Sequence, residues 1–231
     1  MNQSSVRQLS SRQLSSAQLS GLYVVTPDWD NTAELVAVTE QALQGGARIV
    51  QYRHKTASRE LRKTQALALL ELCRSFDKPF IINDHLDLCL DIDADGLHVG
   101  GTDMSVADAR AKLGADKILG ASCYGDLELA RTAVKGGASY IAFGGFYPSR
   151  IKQYAVTTPA SIVAEAIREF DVPNVVIGGM TLENCQPLLA QGADMVAVIS
   201  SVYMAEQPQQ AARAFARLFL YEKAFQRKES F

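Results

Sequence analysis

Gly45-Gly46-Ala47-Arg48-Ile49-Val50-Gln51-Tyr52-Arg53-His54-Lys55 puts a helix stop, a β-branched strand and a cluster of polar side chains into one short stretch. The paired glycines accept the left-handed backbone that ends a helix. Arg48–Tyr52 reads as a strand, and before the glycines Thr32–Gln44 has the three-and-four apolar spacing of a helix. The joint recurs at Gly114-Ala115-Asp116, Gly136-Gly137-Ala138 and Gly192-Ala193-Asp194. A glycine that closes one helix just before the next strand is the punctuation of a chain alternating α and β.

Extended in both directions, the pattern gives eight candidate strands: Leu22–Thr26, Arg48–Tyr52, Pro79–Ile82, Gly96–Val99, Lys117–Ala121, Tyr140–Phe143, Asn174–Ile177 and Met195–Ser200. Helical segments separate them at Thr32–Gln44, Ser58–Phe76, Ser105–Leu113, Asp126–Lys135, Thr158–Phe170, Leu182–Gln191 and Pro208–Tyr221. The weakest crossover is His85–Leu90. Eight such units imply an α/β fold, a single (β/α)8 TIM barrel over residues 21–231, with an open doubly wound sheet as the alternative. Either architecture places its chemistry just past the C-terminal ends of the strands.

Residues 1–20 read differently. Their five-residue repeat (Val-Arg-Gln-Leu-Ser, Ser-Arg-Gln-Leu-Ser, Ser-Ala-Gln-Leu-Ser) cannot put Leu9, Leu14 and Leu19 on one helix face, because each step turns the chain by about 140°. A low-complexity, disordered leader is the expectation. A transit peptide is the alternative, since Arg7 and Arg12 stand among serines with no acid. The 231 residues are 48% apolar with 23 basic and 25 acidic side chains, so no clustered cationic surface for nucleic acid is implied. No apolar run is long enough for a membrane span. Cys73, Cys89, Cys123 and Cys185 lie far apart and read as reduced packing residues of a cytoplasmic protein.

Polar residues gather at the strand ends. Alternation sends Gln51, Arg53 and Lys55 to one side, where an Arg and a Lys together suit a multiply charged anion; a solvated basic loop is the alternative. Asn83-Asp84 follows the third strand, and Gly100-Gly101-Thr102-Asp103 the fourth. Asp84 and Asp103 are the kind of sparse hard-oxygen set that Mg²⁺ takes when phosphate and water complete its shell, although Asp103 can equally be read as a helix N-cap. Gly178-Gly179 after strand seven and Ile199-Ser200 after strand eight match the phosphate cradle of such barrels. Between Gly144-Gly145 and Lys152 a long loop carries Ser149, Arg150 and Ile151 and could close over the mouth. Two anion sites beside Mg²⁺ suggest the joining of two phosphorylated small molecules.

With these segments assembled, the chain resembles the thiamine-phosphate synthase family over roughly residues 21–221. Gln51-x-Arg53-x-Lys55, Ile82-Asn83-Asp84, Asp95-Gly96-x-His98-x-Gly100-x-x-Asp103, Gly120-x-Ser122, Pro148-Ser149-x-Ile151-Lys152, Ile177-Gly178-Gly179 and Ile199-Ser200 follow the family's order. The resemblance implies a transferase that couples 4-amino-2-methyl-5-hydroxymethylpyrimidine diphosphate to a thiazole phosphate with Mg²⁺. It implies that Arg53, Lys55, Asn83, Ser122 and Lys152 hold the pyrophosphate, with Arg53, Lys55, Ser122 and Lys152 the catalytic set. Gln51 would lie against the pyrimidine, Asp84 and Asp103 would ligate the metal, and Ser149, Gly179, Ile199 and Ser200 would receive the thiazole phosphate. Tyr52, His54, Arg150 and Ile151, which flank these positions, join the expected substrate-binding set.

Departures from the pattern are Ser149 and Ile151 for threonines, His54 for glutamate and Gly101 for glutamine. A thiazole tautomerase-like relative is disfavoured because Tyr124 stands where that enzyme needs histidine, and a non-catalytic barrel because Asp84, Asp103 and Lys152 are all present. Homo-oligomer formation is left open.

Overall fold

The computed structural model describes residues 19–100, 104–148 and 158–229, with side chains as far as Leu220. The elements follow in strict alternation: β1 (Gly21–Val25), α1 (Thr32–Gln44), β2 (Ile49–Tyr52), α2 (Arg59–Ser75), β3 (Phe80–Asn83), α3 (Leu86–Asp91), β4 (Gly96–Val99), α4 (Val106–Leu113), β5 (Ile118–Tyr124), α5 (Leu127–Lys135), β6 (Tyr140–Gly144), α6 (Ser161–Glu169), β7 (Asn174–Ile177), α7 (Gln186–Ala190), β8 (Met195–Val198), α8 (Ser200–Tyr203) and α9 (Pro208–Glu229). All strand pairs are parallel, and β8 bonds back to β1 through Gly21↔Met195 and Tyr23↔Ala197. That closure excludes the open doubly wound sheet and leaves no strand edge to protect.

Alternation along the strands builds two apolar layers. Tyr23, Ile49, Ile81, Ile118, Tyr140, Val175 and Met195 point inward and fill the barrel. Their neighbours Leu22, Val50, Phe80, Leu97, Ile141, Val176 and Val196 point outward and pack against the helices. Each such side chain contributes about 1.5–3 kcal/mol when fully buried, so a shift of one residue in any strand would exchange the two layers and is strongly disfavoured.

The helix stops behave as the sequence implies. Gly46 and Gly137, the second glycines of their pairs, have φ of 107° and 91°, which an L side chain adopts only under strain. At the N-terminal end of the barrel, short side chains finish the ladder. Asp95, just before β4, accepts the Phe80 N–H of β3 at 2.8 Å, and Asp194, just before β8, accepts the Asn174 N–H of β7 at 2.9 Å. Arg110 on α4 gives its guanidinium to the carbonyls of Gly114, Lys117 and Gly137 and to Ser139 Oγ at 2.7–3.0 Å, tying α4 to the entries of β5 and β6.

Several boundaries differ from the sequence reading. The leader was expected to end at residue 20, but Leu19 is 3% exposed and packs into the barrel interior. Residues 1–18, and with them the order of the rest of the repeat, lie outside the described residues. β5 runs on to Tyr124, through a register shift between Ser122 and Tyr124. The helix expected from Thr158 begins at Ser161, because Thr158 Oγ1 donates instead to Gly144 O at 2.5 Å. The helix expected from Leu182 begins at Gln186, after Thr181 and Asn184 bond each other reciprocally in a turn. Strand β8 stops at Val198, and Ser200 opens a short helix.

All four cysteines are buried and none forms a disulfide among the described residues. Burial pushes the Cys123 thiol up to about 12, so it packs as a neutral group rather than acting as a nucleophile. No helix among the described residues is long and apolar enough to cross a membrane.

Candidate active site

All strand C-termini open on one side, so residues just past them share a mouth. At β2, Thr26 Oγ1 accepts the Arg53 N–H at 2.8 Å and donates to Arg53 O at 2.9 Å, extending the β1–β2 pairing beyond Val25. This fixes where Arg53 leaves the strand. Its Nη1 lies 3.2 Å from both carboxylate oxygens of Asp28, and the same carboxylate accepts the Lys55 N–H at 2.9 Å. Arg53 is only 9% exposed, yet its Nε has no hydrogen-bond partner among the described residues. A buried charged donor left unpaired is costly; an anion arriving at the mouth would relieve that cost. Asp28 was not singled out in the sequence. The signal was Thr26-Pro27-Asp28, an acid directly past the first strand and level with Arg53 past the second.

Asp84 adopts a left-handed φ of 61° at the end of β3. That turn aims its carboxylate where Asn83 Nδ2 donates to Oδ2 at 2.6 Å and the Gly100 N–H to Oδ1 at 3.3 Å. Lys55 Nζ lies 3.4 Å from the same Oδ2. Lys55 is more than half exposed, so this ion pair adds little stability and is free to exchange for a ligand phosphate. The structure thus brings Arg53, Lys55, Asn83 and Asp84 together through Asp28. One carboxylate with a lone pair to spare suits a hard cation that draws its other oxygens from substrate and water. Among the described residues no group of three or more metal-binding side chains forms a complete cage. Asp103, the expected second ligand, lies outside the described residues, as do Ser149, Arg150, Ile151 and Lys152.

Gln51 and Ser122 both face the interior below this cluster. Gln51 Nε2 donates to Tyr23 Oη at 2.8 Å, and Ser122 Oγ is 2.9 Å from His98 Nε2. Across the mouth, Gly178 and Gly179 take φ values of 113° and 64°. A Cβ on Gly179 would fall 2.3 Å from Pro148 O, so the β6 loop crosses directly against this turn and only glycine admits it. Ile199 and Ser200, half-buried, follow β8 on the same side.

Two of the expected residues are engaged elsewhere. Tyr52 points outward into the helix layer, where its hydroxyl donates to Gln65 Oε1 at 2.8 Å, as its even position on β2 requires. His54 is buried with both ring nitrogens engaged: Nδ1 accepts the Ala57 N–H at 3.1 Å and Nε2 meets Asp30 Oδ1 at 3.1 Å. It fastens the β2 loop to the β1 loop and presents neither nitrogen to a ligand.

The sequence model of the family described as thiamine monophosphate synthase matches residues 22–202. The chain belongs to the thiamine-phosphate synthase family. A thiamine-phosphate synthase of Janthinobacterium sp. (strain Marseille) is 63% identical over 199 residues, covering 86% of this chain and 96% of that protein. One from Nitrosomonas eutropha is 48% identical over 200 residues, covering 87% and 94%. Among solved structures, a thiamine phosphate pyrophosphorylase from Pyrococcus furiosus superposes with a TM-score of 0.78 at 30% identity, covering 89% of this chain and 98% of that one. A 3-hexulose-6-phosphate synthase from Salmonella typhimurium reaches 0.67 at 17% identity, which speaks for the barrel alone. The family's activity makes the chain a transferase, and the Gln51, Arg53, Lys55, Asn83 and Asp84 positions of its motifs are the ones gathered at the mouth.

Proposed function

We propose that this thiamine-phosphate synthase couples 4-amino-2-methyl-5-hydroxymethylpyrimidine diphosphate to a thiazole phosphate by a dissociative route, within one barrel domain and in the cytoplasm. The C–O bond of the pyrimidine methylene breaks first and its electron pair leaves on pyrophosphate. The thiazole nitrogen then donates its lone pair to the methylene carbon, giving thiamine phosphate. Negative charge grows on the departing pyrophosphate, so cations placed there stabilise the transition state more than the substrate. Arg53 and Lys55, just past β2, and Lys152 supply that charge, while Asn83 and Ser122 add neutral hydrogen bonds. Gln51 meets the pyrimidine.

Asp84 and Asp103 would hold Mg²⁺, which when bound neutralises the pyrophosphate oxygens. Ser149, Gly179, Ile199 and Ser200, with Arg150 and Ile151 beside them, would receive the thiazole phosphate. The observation that carries this reading is the buried Arg53 guanidinium, braced by Asp28 and with Nε unpaired among the described residues. The reaction needs no general base or covalent nucleophile. Mixing both substrates with Mg²⁺ should release pyrophosphate and thiamine phosphate in equal amounts. Tight binding of the thiazole phosphate with no product would instead indicate a non-catalytic barrel.

A further inference from the structure

Inside the barrel hydrogen-bonded polar side chains connect Gln51 on β2 to Ser122 on β5. Gln51 Nε2 is 2.8 Å from Tyr23 Oη, Tyr23 Oη is 2.7 Å from Tyr140 Oη, Tyr140 Oη is 2.9 Å from His98 Nδ1, and His98 Nε2 is 2.9 Å from Ser122 Oγ. Tyr23 and Tyr140 are fully buried, and burial raises both phenols above their ordinary range, so each keeps its proton. The line is built into the register. His98 on β4 pairs with Gly120 on β5, and Gly120 pairs with Tyr140 on β6. A Cβ on Gly120 would lie 2.0 Å from Tyr140 Cζ and 2.3 Å from its Oη, so the phenol reaches across β5 to His98 only because residue 120 is glycine.

The chemistry of its first member gives this line a direction. An amide nitrogen carries hydrogens but accepts none, so Tyr23 accepts from Gln51. A buried phenol has one proton to place, and Tyr23 places it on Tyr140, which in turn donates to His98 Nδ1. A neutral imidazole whose Nδ1 accepts carries its proton on Nε2 and donates it to Ser122 Oγ. Ser122 is left with its own proton to give to a ligand. We infer that Tyr23, Tyr140 and His98 are positioning residues that lock Ser122 as a hydrogen-bond donor toward the anionic leaving group and keep the Gln51 amide oxygen turned to the pyrimidine. The inference rests on the substrate roles of Gln51 and Ser122 proposed above.

Tyr140→Phe keeps the ring and deletes the hydroxyl that meets Tyr23 and His98. In that variant kcat should fall about 10-fold or more while KM for the thiazole phosphate changes less than about twofold, and Ser122→Ala should cost far less in the Tyr140→Phe background than in the native chain. Additive losses would overturn the relay, because a purely structural tyrosine has no reason to share its effect with Ser122. A readout independent of turnover is ¹⁵N NMR of the ring nitrogens, tractable with three histidines in the sequence. The native His98 should show a protonated Nε2 and a hydrogen-bonded, unprotonated Nδ1, and the Nδ1 resonance should move to that of an unbonded ring nitrogen in Tyr140→Phe. A native His98 carrying its proton on Nδ1 would reverse the line and overturn the inference. Should Tyr140→Phe fail to fold, the ring-nitrogen spectrum of the native protein still decides the direction of the line, because it needs no variant. If the native protein forms no thiamine phosphate, the functional reading fails and the nitrogen spectrum still decides the direction of the line.

Discussion

Arg53 keeps its Nη1 on Asp28 and leaves Nε without an acceptor among the described residues, which ties a prediction to a single side chain. A charged hydrogen bond is worth about 1.5–3 kcal/mol. Arg53→Ala should therefore raise KM for the pyrimidine diphosphate by roughly 10- to 100-fold while leaving that for the thiazole phosphate near its native value. Asp28→Ala, which only loosens Arg53, should act in the same direction and more weakly. Steady-state kinetics with each substrate varied in turn separates the two sites; equal losses on both would mean the anion sites have been exchanged. Asp84→Ala removes the carboxylate that Asn83 and Gly100 aim, and turnover should drop about 10²-fold or more. EDTA should inactivate the native enzyme comparably, and full rates in EDTA would defeat the metal assignment. Arg53 and Asp84 stood out in the sequence because they directly follow β2 and β3, whereas Asp28 did not. The partners of His54 were not legible: its Nδ1 accepts the Ala57 N–H of its own loop, a contact no strand periodicity encodes.

Among elements, the entries of β4 and β8 share a device with a pH signature. Burial raises Asp95 and Asp194 above the ordinary carboxylate range, while the N–H groups of Phe80 and Asn174 partly counter it. Folding thus favours their protonated forms. That contribution is fully present below the unfolded carboxylate pKa of about 4 and is lost as pH rises through the raised folded values. Replacing both with Asn removes the titration, so the unfolding free energy of the double variant should change less between pH 4 and pH 7 than that of the parent. Urea unfolding at the two pH values checks this, and an unchanged slope would show that these carboxylates titrate alike in both states. Strand identity was readable at all eight strands and helix identity at the longer helices, whereas the short α8 was not foreseen because the eighth strand was read on to Ser200. Ends were not, because Thr158 and Asn184 spend their side chains on turns that propensity alone would have made helix.

At the scale of the molecule, the barrel interior closes over Leu19. Deleting residues 1–18 is expected to leave melting temperature and rate unchanged, since the repeat offers no helical face to pack. Deleting residues 1–20, or Leu19→Ala, empties a place in the interior and should cost about 2 kcal/mol or more. For a domain of this size that lowers the melting temperature by roughly 2–4 °C per kcal/mol. Calorimetry of the two truncations tells them apart, and identical melting would place Leu19 outside the cooperative unit.

The sequence by itself determined the eight-fold alternation and most of the charged groups past the strand ends, Asp28 excepted, because period-two alternation and glycine stops are local properties of the chain. Tertiary structure alone decided what those groups touch. Asp28 meets Arg53 across 25 positions of sequence, and Tyr140 meets His98 across 42. Such contacts exist only once parallel strands are in register and the barrel is closed, with a glycine at residue 120 leaving room between them.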